Sequence, residues 1–297
     1  MKDNKAKLLF ILSMVIFGTI GIFRKYIPLS SEMLSIARGV IGSIFLFIIM
    51  LITKEKFDKQ SIKKNLILLI ISGSCIGINW LFLFESYKYT SVATATLCYY
   101  MAPIFVMIIT PFVLKEKLNI INIVAISLAL IGMVFVSGII EVGFNDTNTL
   151  KGVIFGLLAA CFYASVVLIN KKITKVNAYP KTILQLIFAS IILIPYAFIN
   201  SSSDGISFSL DVIILVLIVG IIHTGISYAL YFSSMEKIST KSVAIFSFID
   251  PVLAIVLSFV VLKEPMSLLS FFGAILILLA SFINELNLNK NNKKLTS

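Results

Sequence analysis

The chain has 297 residues, 59% of them hydrophobic and 13% charged, with a mean hydropathy of +1.05. Soluble domains carry about 25% charged residues, so this balance excludes an ordinary globular protein. The net charge of +11 comes from lysines scattered between apolar stretches rather than gathered on one domain, so no nucleic-acid partner is implied.

Long apolar stretches with short charged gaps read as an all-α polytopic membrane protein, and the ten-residue alternation of a transmembrane barrel is missing. In chain order, Lys2, Lys5 and Lys7 precede a first apolar run over 8–23. It imitates a signal peptide, but no small-residue cleavage site follows and Arg24 and Lys25 come at once, so it reads as a retained span. Further spans are predicted over 33–53, 66–87, 91–114 and 120–140. A polar gap then leads to 152–170, 178–200, 210–235, 242–262 and 267–284. Most come close to the ~20 residues that cross ~30 Å of hydrocarbon, which makes ten transmembrane helices.

With the amino terminus in the cytoplasm, 19 of the 25 lysines and arginines fall on the inner side. Arg24, Lys25, Lys88, Lys151 and Lys263 fall outside, and Arg38 lies within a span. This bias predicts both termini inside. The expected organisation is a first five-helix repeat over 1–140, an external loop over 141–151, a second repeat over 152–284 and a disordered cytoplasmic tail over 285–297. Cys75, Cys98 and Cys161 sit inside apolar stretches and His223 is the single histidine, so neither a disulfide framework nor a metal centre is implied. No phosphate-binding loop of the G-x-x-x-x-G-K-[ST] type occurs, and no cofactor is expected.

The repeats rest on a visible duplication. "YYMAPIFVMIITPFVLKEKL" begins at Tyr99 and "SFIDPVLAIVLSFVVLKEPM" begins at Ser247. Pro103 falls on Pro251 and Glu116 on Glu264, both at an offset of 148 residues. Ser91 falls on Ser239 and Gly77 on Gly225 in the same register, and Arg38 lies at 147 from Gln185. Five spans per half is an odd number, so the second half must lie inverted relative to the first. Inverted repeats are the architecture of many transporters, whose site lies between the halves near the midplane.

Ten spans, the five-plus-five duplication and the stretch from Tyr87 to Leu118, with its second copy ending in "VLKEP", resemble the EamA-type members of the drug/metabolite transporter superfamily. The resemblance covers essentially the whole chain. It implies an inner-membrane carrier of small metabolites, often an amino-acid exporter, with a cavity lined by spans one to four and six to nine. The small multidrug-resistance branch uses a glutamate in its first span; "LLFILSMVIFGTIGIF" has none, so that coupling mechanism does not carry over.

Helical spacing places His223, Ser227, Tyr231 and Ser234 on one stripe of span eight, and Cys75, Asn79, Leu83 and Ser86 on the matching stripe of span three. Asp250 shares a face with Ser247, Ala254 and Ser258, whose counterparts in the other copy are Tyr99, Ala102, Val106 and Thr110. Asn79, His223 and Asp250 carry strong donors or acceptors into a water-poor segment and are candidates for the pathway. Asp250 either exchanges a proton or pairs with a substrate amine, or it bonds a carbonyl at the kink that Pro251 makes. Pro103 and Pro251 are the hinge candidates. Arg38 and Glu85 come to similar depth and are predicted to form an outer salt bridge that could act as a gate, or to reach the surface independently. Trp80, Tyr99, Tyr100, Tyr163 and Tyr228 lie within spans, where they could stack on a substrate or enclose a quaternary ammonium.

The expected partners are a small-molecule substrate and the lipid bilayer; proton coupling and a homodimer are both compatible with the sequence. Three rivals remain: a drug, quaternary-amine or nucleoside carrier of the same fold, a channel, and a polytopic enzyme acting on lipid-linked groups. The enzyme would need clustered acids or a histidine–acid pair on one loop, and the loops here are short with acids spread thinly.

Overall fold

A computed structural model describes residues 2–113, 118–142, 146–200, 209–235 and 237–295. Every regular element among the described residues is helical. The first half holds α1 (Lys2–Tyr26), α2 (Ser31–Ile52), α3 (Lys59–Tyr89), α4 (Val92–Tyr99), α5 (Ala102–Val113), α6 (Ile120–Val136) and the short α7 (Ile139–Val142). The second holds α8 (Thr147–Asn170), α9 (Ala178–Asn200), α10 (Leu210–Gly220), a π-helical turn (Ile221–Ile226), α11 (Ser227–Met235), α12 (Thr240–Phe246), α13 (Ile249–Val260) and α14 (Leu268–Leu295).

Short polar side chains start these helices. Ser30 accepts from the Met33 amide before α2, Asp58 from Gln60 and Ser61 before α3, and Asp146 from Asn148 and Thr149 before α8. Asn119 and Asn122 satisfy each other's backbone amides in a capping box at α6. Ser91 and Ser239, which share a repeat position, each accept an amide three residues on and so start α4 and α12 in the same way.

Seven stretches are long and apolar enough to cross a membrane by length and composition: Asn4–Tyr26, Ser31–Ile52, Lys59–Tyr89, Val92–Val113, Thr147–Asn170, Ala178–Ile199 and Leu210–Met235. Ile120–Val136, Ile249–Val260 and Leu268–Asn284 are apolar but shorter. Large apolar side chains such as Ile67, Phe112, Ile120, Phe198 and Leu268 point outward, as on a lipid-facing surface.

The two halves interlock. α3 packs on α8 and α9, α6 on α14, α2 on α9 and the π turn, and α1 on α13 and α11. Gly73 and Gly77 let α3 approach the α9 backbone: a Cβ on Gly73 would lie 2.7 Å from the Gln185 carbonyl oxygen. The Arg38 to Gln185 register therefore lies where the halves touch.

Three features depart from the sequence expectation. The span over 91–114 is broken at Tyr100 and Met101, and the span over 242–262 at Ser247 and Phe248, within one residue of matching repeat positions. Pro103 and Pro251 sit in the first turns of the helices that follow, where a missing amide hydrogen leaves no bond unmade. The span over 210–235 contains the π turn. α14 continues to Leu295, where a disordered tail was expected; the stretch 285–295 has neither Gly nor Pro to stop the helix.

Candidate functional site

The two helix breaks meet. Tyr100, at the end of α4, donates its phenolic hydroxyl to Asp250 Oδ2 at 3.0 Å and lies 3.5 Å from the Ser247 carbonyl. Asp250 occupies the first turn of α13, where the unpaired amides of a helix start favour a carboxylate. It is half-buried, and Tyr87, Tyr99, Tyr100 and Tyr163 all lie within its electrostatic reach. Tyr99 and Tyr163 face each other with ring centroids 5.4 Å apart, and Tyr163 keeps 41% of its surface exposed. From the other side Gly18 of α1 fits against this turn: a Cβ there would sit 2.7 Å from the Asp250 carbonyl oxygen.

A second polar group forms around the π turn. Arg38 Nε donates to Thr224 Oγ1 at 3.1 Å, and Thr224 donates in turn to the Val219 carbonyl at 3.1 Å, five residues back as the wider turn requires. The Arg38 guanidinium lies over Trp80 at 3.9 Å from the ring centroid and over Phe84 at 5.5 Å. His223 is buried, with Nε2 2.9 Å from Thr19 Oγ1, Nδ1 3.5 Å from the Ile218 carbonyl and its ring against Phe23. Thr19 is also 2.7 Å from the Ile16 carbonyl. Its one hydroxyl proton goes either to Ile16 or to His223, so the threonine is coupled to the imidazole tautomer. Tyr228 packs edge-on to Phe17 and stacks with Phe232, half-buried beside this group. Tyr99 and Tyr87 lie within electrostatic reach of Arg38 as well as of Asp250, so the two groups border one tyrosine-lined region.

Other candidates are placed elsewhere. Asn79 is buried and donates Nδ2 to the Ala159 carbonyl at 2.6 Å, joining α3 to α8. The hydroxyls of Ser227 and Ser234 bond carbonyls of their own helix, at His223 and Leu230. The predicted Arg38–Glu85 bridge is not formed. Glu85 pairs with Lys88 one turn on at 2.5 Å, while Arg38 is turned inward onto Trp80 and Thr224. A different pair ties helix ends together: Lys25 meets Glu264 at 2.9 Å. Glu264 Oε2 accepts from the Val92 amide at 2.7 Å and from Ser258 at 2.6 Å, so the repeated "LKE" glutamate caps α4 from across the molecule. Among the described residues no group of His, Cys, Asp and Glu could hold a metal ion.

Sequence reading did not single out Thr19, Thr224, Phe84, Lys25 or Glu264 as site residues. Glu264 carried a signal in its repetition at 116 and 264; the threonines, ordinary in apolar helices, carried none.

A multi-pass helical membrane protein with polar groups converging where its two halves interlock is the class these features define. The chain belongs to the EamA-like transporter family, which matches it twice, over residues 4–138 and 150–285. It is 35% identical over 261 residues to "Uncharacterized transporter YxxF" of Bacillus subtilis, spanning 86% of this chain and 81% of that one. It is also 26% identical over 234 residues to "Probable amino-acid metabolite efflux pump" of Salmonella typhimurium, spanning 75% and 77%. A solved crystal structure shares the fold with a TM-score of 0.63 at 16% identity, over 94% of this chain and 96% of its own. Family membership places the chain among transporters and not among enzymes.

Proposed function

We propose that this transporter is a ten-crossing carrier of two inverted five-helix repeats that exports an amino acid or related metabolite across the inner membrane by alternating access. Both termini are cytoplasmic in this reading, which the placement of 19 of 25 lysines and arginines supports. The three shorter apolar helices supply the remaining crossings. The observation that carries the mechanism is the contact of Tyr100 with Asp250, which joins the two helix breaks, within one residue of matching positions of the halves. Broken helices at a repeat interface put free amides and carbonyls where a polar solute can use them. Asp250 is the proton-exchanging group, and Pro103 and Pro251 fix the points from which α5 and α13 swing. The amino-acid assignment draws support from the Salmonella typhimurium relative.

The test is counterflow in proteoliposomes containing the purified chain and preloaded with single amino acids. Labelled solute should accumulate transiently against an unlabelled internal pool and be recovered chemically unchanged. A channel equilibrates the label without accumulation. A second reading, a quaternary-amine carrier, is favoured by the Tyr99–Tyr163 pair beside Asp250; choline and tetraethylammonium in the same assay decide between them.

A further inference from the structure

Arg38 lies seven residues into α2, roughly 10 Å from its start, and keeps only 4% of its surface exposed. Nε is hydrogen-bonded to Thr224, and the guanidinium carbon lies over the Trp80 ring, 3.9 Å from its centroid. The remaining N–H groups, on Nη1 and Nη2, bond to none of the described residues. No carboxylate among the described residues pairs with Arg38; the ion pairs formed are Lys25–Glu264 and Lys88–Glu85. The side chains around it are Trp80, Phe84 and Thr224, with Tyr87, Tyr99 and Tyr228 in electrostatic reach, and none of these is an anion. A permanently charged group held at this depth with free N–H donors is costly, and a matching anion offsets that cost.

A second guanidinium lies near it, beside a surface cavity. A cavity of about 210 Å³ near the ends of α1 and α3 is lined by Arg24, Lys25, Tyr87 and Lys88. The Arg24 guanidinium lies 5.9 Å from the Phe84 ring centroid, and Arg38 lies 5.5 Å from the same ring. Arg24 donates to the Ile27 carbonyl and Ser31 and leaves Nε without a partner. Two guanidinium groups thus share Phe84, one beside the cavity and one deep in the bundle.

We propose that Arg38 is the anchor for the substrate's carboxylate, which takes the Nη1 and Nη2 fork while Trp80 and Thr224 hold the guanidinium flat. The inference rests on the carrier reading and adds to it the anionic group a substrate must have. A planar two-oxygen anion matches the fork in a way that a hydroxyl or an amide does not. The other end of a zwitterion then faces the tyrosines that border Asp250.

Trp80 is the only tryptophan in the chain and touches the guanidinium directly, so its emission reports on Arg38. The experiment titrates the purified full chain with L-leucine and L-phenylalanine, and with leucinamide and phenylalaninamide, which keep the side chain and ammonium but lack the carboxylate. Counterflow is measured with the same four compounds. The acids should shift Trp80 emission saturably and exchange, the amides should bind at least about tenfold more weakly, and Arg38→Gln should bring acid and amide to parity. Arg38→Lys, which keeps the charge but not the fork, should fall between. Amides binding as well as acids in the wild type, or an acid preference surviving Arg38→Gln, overturns the anchor, and continued counterflow then leaves the carrier reading standing. No emission change and no counterflow with any of the four compounds overturns both. The acid–amide comparison needs only the wild type, so a poorly folding variant does not remove the test.

Discussion

Tyr100 and Asp250 belong to different halves of the chain, and the 3.0 Å bond between them ties one helix break to the other. Tyr100 stands at the repeat position of Phe248, which has no hydroxyl to return the contact, so the tie runs one way. Tyr100→Phe should lower stability by about 1.5–3 kcal/mol, because it leaves a half-buried carboxyl without its donor. Unfolding of the purified protein in mixed micelles measures it. A cycle with Asp250→Ala, which removes the acceptor, should show coupling of about 1 kcal/mol or more.

Asp250→Asn alone separates proton exchange from substrate exchange. The amide still accepts from Tyr100, so the fold should be kept, but it cannot release a proton. Flux driven by a proton gradient should fall at least about tenfold while counterflow stays within about twofold. Equal loss of both in the same vesicles would remove Asp250 from coupling and leave it a binding or structural group.

Lys25 and Glu264 are paired but not equivalent. The pair is partly exposed, with side-chain accessibilities of 29% and 17%, so the ion pair itself is worth less than about 1 kcal/mol. Glu264 also caps α4 through the Val92 amide and receives Ser258. Glu264→Ala should therefore destabilise by about 1 kcal/mol more than Lys25→Ala. Unfolding midpoints at low and high salt check this, and Lys25→Ala should remove most of the salt dependence contributed by the pair.

Asp58, at the start of α3, offers a pH test outside the apolar core. The Ser61 hydroxyl and the Ser61 and Gln60 amides hold its carboxyl below the usual aspartate value. A depressed folded value means the cap stabilises above the unfolded value near ~4 and is lost as pH falls through the lower folded one. The unfolding midpoint of the wild type should drop below about pH 4, and Asp58→Asn should show a smaller drop.

Much of this was legible in the sequence because hydropathy, repetition and capping are local signals. The matched breaks were announced by Pro103 and Pro251, although the proline lies just inside the new helix rather than at its bend. Arg38 and Glu85 show where local reading stops. Depth along each helix was estimated from residue counts, but rotation about the axis decides partners, and Lys88 was already within one turn of Glu85. The stripe through His223 and Ser234 carries a local feature that helical spacing does not show, although His223, Ser227 and Ser234 are all buried. A π turn adds a residue to the cycle, which rotates everything after Ile226 relative to a 3.6-residue pattern. No feature of composition announced that turn. Its packing does: Gly220 and Gly225 admit Ile41 and Phe45 of α2, where any Cβ would be within about 2.6 Å of those side chains.

The breaks also set mechanical leverage. α4 and α5 have 8 and 12 residues, and α12 and α13 have 7 and 12, so each half carries one short arm and one long arm about a common fulcrum. A long arm of about 18 Å that tilts by about 5° moves its tip by about 1.5 Å. In the proposed carrier, with Tyr100 bolting the breaks together and Gly18 seated on the Asp250 carbonyl, a small rotation at the centre would be delivered as a larger displacement at the helix tips.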